Sequence, residues 1–182
     1  MTGMSEDIFR LAEKKDAPEF LELLYSAFQP IRNLEIDWPS ARADIDMVTE
    51  NIENHSAVVL ERDGRLLSTI TIRFPWESDT PPSKYPFVWW FATLPELKGQ
   101  GIGSKLLTYV EEHVLRDTLK APAITLGTSA RKHPWLVDMY RRRGYEVYFE
   151  QEKDGDIGVM MRKVLIPERF DASLLGTPSW AQ

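Results

Sequence analysis

Leu97-Lys98-Gly99-Gln100-Gly101-Ile102-Gly103-Ser104-Lys105-Leu106-Leu107 follows the aromatic, strand-like run from Phe87 to Thr93 and opens an amphipathic helix. Glycines at alternate positions remove the Cβ atoms that would hold a ligand off the backbone. The helix starting near Gly103 presents N–H groups without intrahelical partners and the positive end of its dipole. Such an order suits an anion such as a pyrophosphate. Two familiar phosphate motifs do not fit. A dinucleotide fingerprint counted from Gly99 or Gly101 meets Ser104 or Leu106 where its third Gly is needed. A P-loop counted from Gly99 finds Ser104-Lys105-Leu106 in place of Gly-Lys-Ser/Thr. A plain glycine-rich turn between strand and helix is the competing reading.

Working outward, the helix after the glycines carries Ile102, Leu106, Val110 and Val114 every four residues, with Leu107 beside them, and turns Lys105, Glu111 and Glu112 outward. Phe87 to Thr93 is apolar on both faces, as for a central strand covered on each side, with one indole of Trp89-Trp90 on each face. Ala123 to Leu126 is a second central strand. It leads through Gly127-Thr128-Ser129 to a helix from about Pro134 to Arg143, closed by Gly144 at a left-handed cap.

Upstream, Ile8 to Leu11 is a short strand. Asp16 with Glu19 reads as a capping box for a helix reaching Phe28. Residues 29–38 form a loop, and Pro39 suits the first position of a helix to about Asn51. Ser56–Arg62 and Arg65–Phe74 form a hairpin around Asp63-Gly64. The stretch from Pro75 to Pro86 has four prolines and is an irregular excursion long enough to border a site. Tyr145–Gln151 and Ile157–Leu165 make a last hairpin around Lys153-Asp154-Gly155. Residues 1–165 read as one domain, and 166–182 as a loosely docked or disordered C-terminal extension.

With 182 residues, 43% apolar and 27% charged, the chain can bury its own core. A net charge of −6 argues against nucleic acid as a main partner. The absence of cysteine excludes disulfides, thiolate metal sites and a cysteine nucleophile, and no metal site is expected. Met1 to Asp7 lacks the basic start and apolar stretch of a signal peptide, and no run reaches spanning length. The expectation is a cytoplasmic protein without a membrane partner.

Lys98-Gly99-Gln100-Gly101-Ile102-Gly103, with Leu106-Leu107 following, resembles the Arg/Gln-x-x-Gly-x-Gly signature of the GNAT acyltransferase superfamily. The departure is Lys98, which keeps a charge but loses the planar fork of donors. Leu136 to Tyr145 resembles that family's second landmark, a helix ending in Leu/Met-Tyr, three polar residues, Gly and an aromatic. Two landmarks in order, with one strand between them, identify the chain as a member. The resemblance implies an α+β fold: a mixed, mostly antiparallel central sheet flanked by helices, with the central strands Phe87–Thr93 and Ala123–Leu126 splayed apart.

The resemblance further implies acetyl-CoA as donor and an N-acetyltransferase moving the acetyl group to a primary amine by direct attack in a ternary complex. Carried over by position, Gly99, Gln100, Gly101, Ile102, Gly103 and Ser104 offer backbone N–H groups to the pyrophosphate with Lys98 at its flank, and Phe91, Ala92 and Thr93 pair with the pantetheine arm. Tyr140 matches the acid that protonates the departing thiolate, for which a positioned O–H donor is suited. Seven residues earlier His133 replaces the usual Asn, so it caps the helix, contacts the cofactor or serves as a base. The first central strand lacks the Glu that many relatives use as base, and water held by Thr93, Thr128 or Ser129 is the alternative route. Arg141-Arg142-Arg143 reads as a solvated helix end or a contact to the adenosine 3′-phosphate.

The acceptor is expected to be a small-molecule or peptide amine, with Glu35, Asp37 and Trp38 on its wall and Glu150, Glu152, Asp154 and Asp156 near the last hairpin. That acidic set favours a cationic amine. A homodimer is compatible with the sequence. The alternative reading is a non-catalytic CoA or acyl-CoA-binding regulatory module, which the missing strand acid favours and Tyr140 disfavours.

Overall fold

The computed structural model describes residues 6–34 and 39–178. Its strands are β1 (Asp7–Leu11), β2 (Ser56–Arg62), β3 (Arg65–Arg73), β4 (Phe87–Thr93), β5 (Ala123–Ser129), β6 (Glu146–Lys153) and β7 (Asp156–Val164). They run in the sheet order β1-β2-β3-β4-β5-β7-β6. The β4–β5 pair is parallel, while β1–β2, β2–β3, β5–β7 and β6–β7 are antiparallel, as in the α+β sheet expected. The chain forms two compact units, residues up to 72 with 90–110, and residues 73–89 with those from 111 on.

In the first unit, α1 (Ala17–Ala27) and α3 (Ile45–Asn54) bury Phe20, Leu23, Leu24 and Val48, and β2 and β3 bury Val59, Leu60 and Ile70. Asn51 on α3 donates from Nδ2 to Thr71 Oγ1 on β3 at 2.9 Å. The β2–β3 hairpin turns through Asp63 (φ 51°) and Gly64 (φ 77°), two left-handed residues that match the strand twist.

Three local expectations change. Asp16 does not cap α1 with its side chain, because its carboxylate takes Nη1 and Nη2 of Arg10 at 2.8 and 3.0 Å. Glu19 instead accepts from Leu66 N–H at 3.2 Å. A short helix, α2 (Gln29–Asn33), occupies part of the expected loop, and Pro39–Arg42 is a single 3₁₀ turn. The long helix α3 starts at Ile45 because Asp44 accepts from Met47 N–H at 2.9 Å.

The second unit is built on β5, whose residues are buried except Gly127. Its register with β4 is Phe87↔Thr125 and Val88↔Leu126. Helix α4 (Ile102–Thr108) continues as a π-helical segment, Tyr109–Thr118, where hydrogen bonds such as Leu119 N–H to Val114 O reach five residues. The wider turn brings Val110, Glu111 and Leu115 to the buried side, so Glu111 is not solvent-facing as its spacing suggested; it is 1% exposed.

Helix α5 (Pro134–Arg142) follows β5, and Gly144 (φ 98°) closes it as expected. The segment beyond Leu165 is docked through Pro178. Tyr85 Oη donates to Asp171 O and accepts from Asp171 N–H, and Leu175 joins Tyr85 and Ala123 in a buried cluster. Aromatic and backbone contacts that have no sequence periodicity hold it there.

Candidate active site

The glycine loop belongs to the first unit. Gly99 (φ 85°) and Gly101 (φ 76°) take left-handed conformations with open space around them. Gly103 serves another purpose. A Cβ there would lie 2.7 Å from Thr93 Oγ1 and 3.3 Å from the Phe91 ring, so the bare Cα lets the start of α4 settle onto the end of β4. The structure thus brings Phe91, Thr93 and Gly103 together. Thr93 Oγ1 is fixed by Ser68 Oγ at 2.9 Å, and Ser68 Oγ donates to Ala92 O at 2.8 Å.

The helical ladder begins with Lys105 N–H to Gly101 O, leaving the N–H groups of Ile102 and Gly103 ahead of it without an intrahelical acceptor. Gln100 differs from its expected role, since its N–H closes the preceding turn on Leu97 O at 3.2 Å. Lys98 is exposed at the flank, and its N–H bonds Pro95 O.

Strand β4 is less enclosed than its composition suggested. Val88, Trp90 and Ala92 are buried, whereas Phe87, Trp89, Phe91 and Thr93 are only partly so. Trp90 has φ 53°, a conformation that L-residues seldom take within a strand, and it interrupts the pleat.

The second unit holds Tyr140. Its ring is buried and meets Tyr145 edge-on with centroids 5.4 Å apart. Burial pushes its phenol well above the ordinary value. The Glu111 charge adds to that rise, and Arg143 opposes it, so Tyr140 stays a proton donor at neutral pH. Glu111 is the centre of a network that the sequence reading missed. Its carboxylate accepts from Tyr145 Oη at 2.6 Å, Arg143 Nη2 at 3.2 Å and Lys163 Nζ at 2.9 Å. Of the arginine run, Arg141 and Arg142 are exposed while Arg143 is committed to Glu111. The only sequence signal was the Glu111-Glu112 pair beside an apolar stripe, which usually marks the rim of a helix.

His133 sits at the N-cap of α5 but makes no side-chain cap hydrogen bond; its buried ring lies edge-on to Trp135 at 3.8 Å. The loop before α5 is held instead by Asp156. It accepts from Ser129 Oγ at 2.7 Å, Lys132 N–H at 3.1 Å, Arg131 N–H at 3.3 Å and Ile157 N–H at 2.8 Å. Burial pushes this carboxyl up, but the donors outweigh it and hold it below its ordinary value.

Of the three hydroxyls expected to hold water, Ser129 is thus tied to Asp156 and Thr93 to Ser68. Thr128 Oγ1 is buried and has no hydrogen-bond partner among the described residues. Glu152 pairs with Arg131 at 3.4 Å, so the acids of the last hairpin are partly engaged within the protein. Glu35, Asp37 and Trp38 lie outside the described residues. Among the described residues no cluster of His, Asp and Glu is arranged to hold a metal, and no helix is long and apolar enough to cross a membrane.

Known proteins were compared with this sequence and fold. A family model described as the acetyltransferase (GNAT) family matches residues 18–145. An S-alkylcysteine N-acetyltransferase of Bacillus subtilis (strain 168) is 83% identical over 178 residues, covering 98% of this chain and all of the relative. An S-(2-succino)cysteine N-acetyltransferase of the same strain is 48% identical over 158 residues, covering 86% of this chain and 95% of the relative. Among solved structures, the PaiA N-acetyltransferase of Thermoplasma acidophilum in complex with coenzyme A matches with a TM-score of 0.68 at 12% identity, over 87% of this chain and 99% of that one. The ribosomal-protein-S18-alanine N-acetyltransferase of Escherichia coli also has a TM-score of 0.68, at 14% identity over 91% of this chain and 99% of that one. At these identities the structural likeness is one of fold. The glycine loop, the Tyr140 helix and the match over most of the chain lead to one conclusion: this protein belongs to the GNAT acetyltransferase family and is an acetyl-CoA-dependent N-acetyltransferase.

Proposed function

We propose that the acceptor is the α-amine of an S-substituted cysteine. The observation that carries this reading is the 83% identity to an S-alkylcysteine N-acetyltransferase along nearly the whole chain. It replaces the cationic amine expected from the acidic hairpin, because an S-substituted cysteine is an amino acid whose carboxylate offsets its ammonium group.

The glycine loop fits the donor. Gly103 has no room for a Cβ beside Thr93 and Phe91, and the N–H groups of Ile102 and Gly103 start the helix without intrahelical acceptors, which suits a pyrophosphate. Acetyl-CoA supplies an activated thioester carbonyl. Tyr140 keeps its Oη proton at neutral pH and can give it to a leaving sulfur. The buried Thr128 hydroxyl is suited to hold a water that takes up the amine proton.

The test is a panel of S-methylcysteine, S-benzylcysteine, lysine and spermidine, scored by acetyl-CoA-dependent release of free thiol. The S-substituted cysteines should give the highest kcat/KM. A preference for spermidine or lysine would overturn the reading.

A further inference from the structure

The second unit contains a guanidinium whose N–H donors have no hydrogen-bond partner among the described residues. Arg73, at the end of β3, lies over the Trp89 ring with Cζ 4.5 Å from its centroid. It is partly buried, and among the described residues it has no hydrogen bond and no carboxylate within 4 Å. Glu77, its nearest acidic influence, is turned to the Phe74 N–H at 2.5 Å. Burial pulls the Arg73 pKa below its ordinary value, with Glu77 acting against that fall. A partly desolvated cation with its donors unused is costly, and the aromatic contact offsets only a part. Its planar fork matches a carboxylate through two parallel hydrogen bonds.

The position of this cation is informative. Phe87 and Val88 carry the parallel register with β5, and Trp89 is the next residue. Phe87 and Trp89, two apart on a strand, share a face. A Cβ on Gly127 would meet Met160 Sδ at 3.2 Å and the Phe87 ring at 4.0 Å, so Gly127 belongs to that face as well. Val159, the neighbour of Met160, lines the cleft beneath α5, which puts Gly127 and Phe87 on the opposite side of the sheet. Gly127 is the exposed position of an otherwise buried strand, and a glycine there lets a ligand approach the backbone closely. One face of the unit therefore combines a bare strand floor, the apolar Phe87 and Met160, and a cation held rigid on Trp89.

We infer that Arg73, braced on Trp89, binds the α-carboxylate of the acceptor while Phe87 and Met160 receive its S-substituent. This rests on the S-substituted cysteine reading above and adds the residue that selects an amino acid over a simple amine. Glu77 acts on the guanidinium only as a nearby charge, and neither it nor Asp79, the other acid of the Pro75–Pro86 stretch, makes an ion pair with it among the described residues.

The experiment uses the intact enzyme with S-methylcysteine, its methyl ester and 2-(methylthio)ethylamine as acceptors. The wild type should prefer the free acid. Arg73→Gln should raise the KM of the free acid by about ten- to a hundredfold, the range of a lost charge-assisted hydrogen-bond pair, and leave the KM of the ester, the amine and acetyl-CoA little changed. Arg73→Lys should recover part of the affinity, since it restores charge without the fork. An unchanged acetyl-CoA KM shows that each variant is folded. Retention of the acid preference in Arg73→Gln overturns the assignment, as does an equal rise in the acetyl-CoA KM. A wild type that acetylates S-methylcysteine no better than spermidine removes the underlying reading instead, before any variant is made.

Discussion

Replacing Glu111 with Gln tests whether the buried carboxylate both stabilises the second unit and sets the acidity of Tyr140. The side chain is 1% exposed and takes three donors, two of them cationic. Hydrogen bonds to charged groups contribute about 1.5–3 kcal/mol each, and orphaning a buried charge costs about 3–5 kcal/mol. Glutamine leaves no buried charge and still accepts from Tyr145 Oη. Arg143 and Lys163, with side chains 19% and 26% exposed, can turn towards water. The expected loss is therefore below the sum, about 2–3 kcal/mol, which lowers Tm by roughly 4–12 °C in a domain of this size. Differential scanning calorimetry reads it directly. Burial is the main cause of the raised Tyr140 phenol; the same change removes the smaller Glu111 contribution to that rise and leaves Arg143, which opposes it, so the alkaline limb of the kcat profile should move to lower pH. The charged groups facing Tyr140 and its edge partner Tyr145 are Glu111, Arg143 and Lys163. Tyr145→Phe is the control: it removes one donor to the carboxylate without changing charge, costs about 1.5–3 kcal/mol and should not carry the limb down. A Glu111→Gln protein that melts with the wild type refutes the energetic reasoning, and an unmoved alkaline limb refutes the coupling to Tyr140.

Gly103→Val should abolish acetyl-CoA binding in calorimetry, because its side chain would collide with Thr93 and Phe91, and circular dichroism should show the fold kept. Gly101→Ala meets no neighbour and should cost only about 1–2 kcal/mol through its left-handed backbone. Tyr140→Phe should keep the acetyl-CoA KM and lower kcat by roughly ten- to a thousandfold, and undiminished turnover with chemistry rate-limiting would leave Tyr140 as a packing residue. Asp7, hydrogen-bonded by Arg62 at 2.6 Å and paired with Lys105, is held down to about 2 from an ordinary 3.8. A depressed carboxyl contributes stability above its unfolded value and loses it as pH falls through its folded one, so urea midpoints should drop between pH 4 and 2 more steeply in the wild type than in Asp7→Asn.

The order of elements, both landmark helices and both tight hairpins were legible because each rests on local rules. Asp63-Gly64 and Asp154-Gly155 do adopt paired left-handed conformations, and Gly144 closes α5. The errors arose where one side chain had two suitors. Asp16 and Glu19 have the spacing of a capping box, but a guanidinium on β1 and an N–H on β3 win them; for Asp16 the guanidinium supplies two charge-assisted bonds where a cap supplies one. No local pattern announces a partner that lies elsewhere in the chain. For the segment after Leu165 the sequence left docking and disorder open for the same reason, its anchors being backbone groups that meet the Tyr85 hydroxyl.

The site residues that periodicity could not find sit where periodicity itself fails. An α-helical count keeps Glu111 at the edge of its apolar stripe, and only the π-helical turn from Tyr109 carries it inward to Tyr145. A strict strand alternation places Trp89 and Trp90 on opposite faces, but it does not foresee the positive φ of Trp90 or the ring that Trp89 offers to Arg73. Each departure gives up regular hydrogen bonding, and neither would persist unless surrounding packing imposed it. Strand β4 and helix α4 are the elements joined by the glycine loop, so the backbone irregularities lie on both sides of the stretch that first revealed the family. Local rules recognise the loop because its glycines act on their own backbone. The carboxylate and the guanidinium act at a distance and become visible only when the chain is folded.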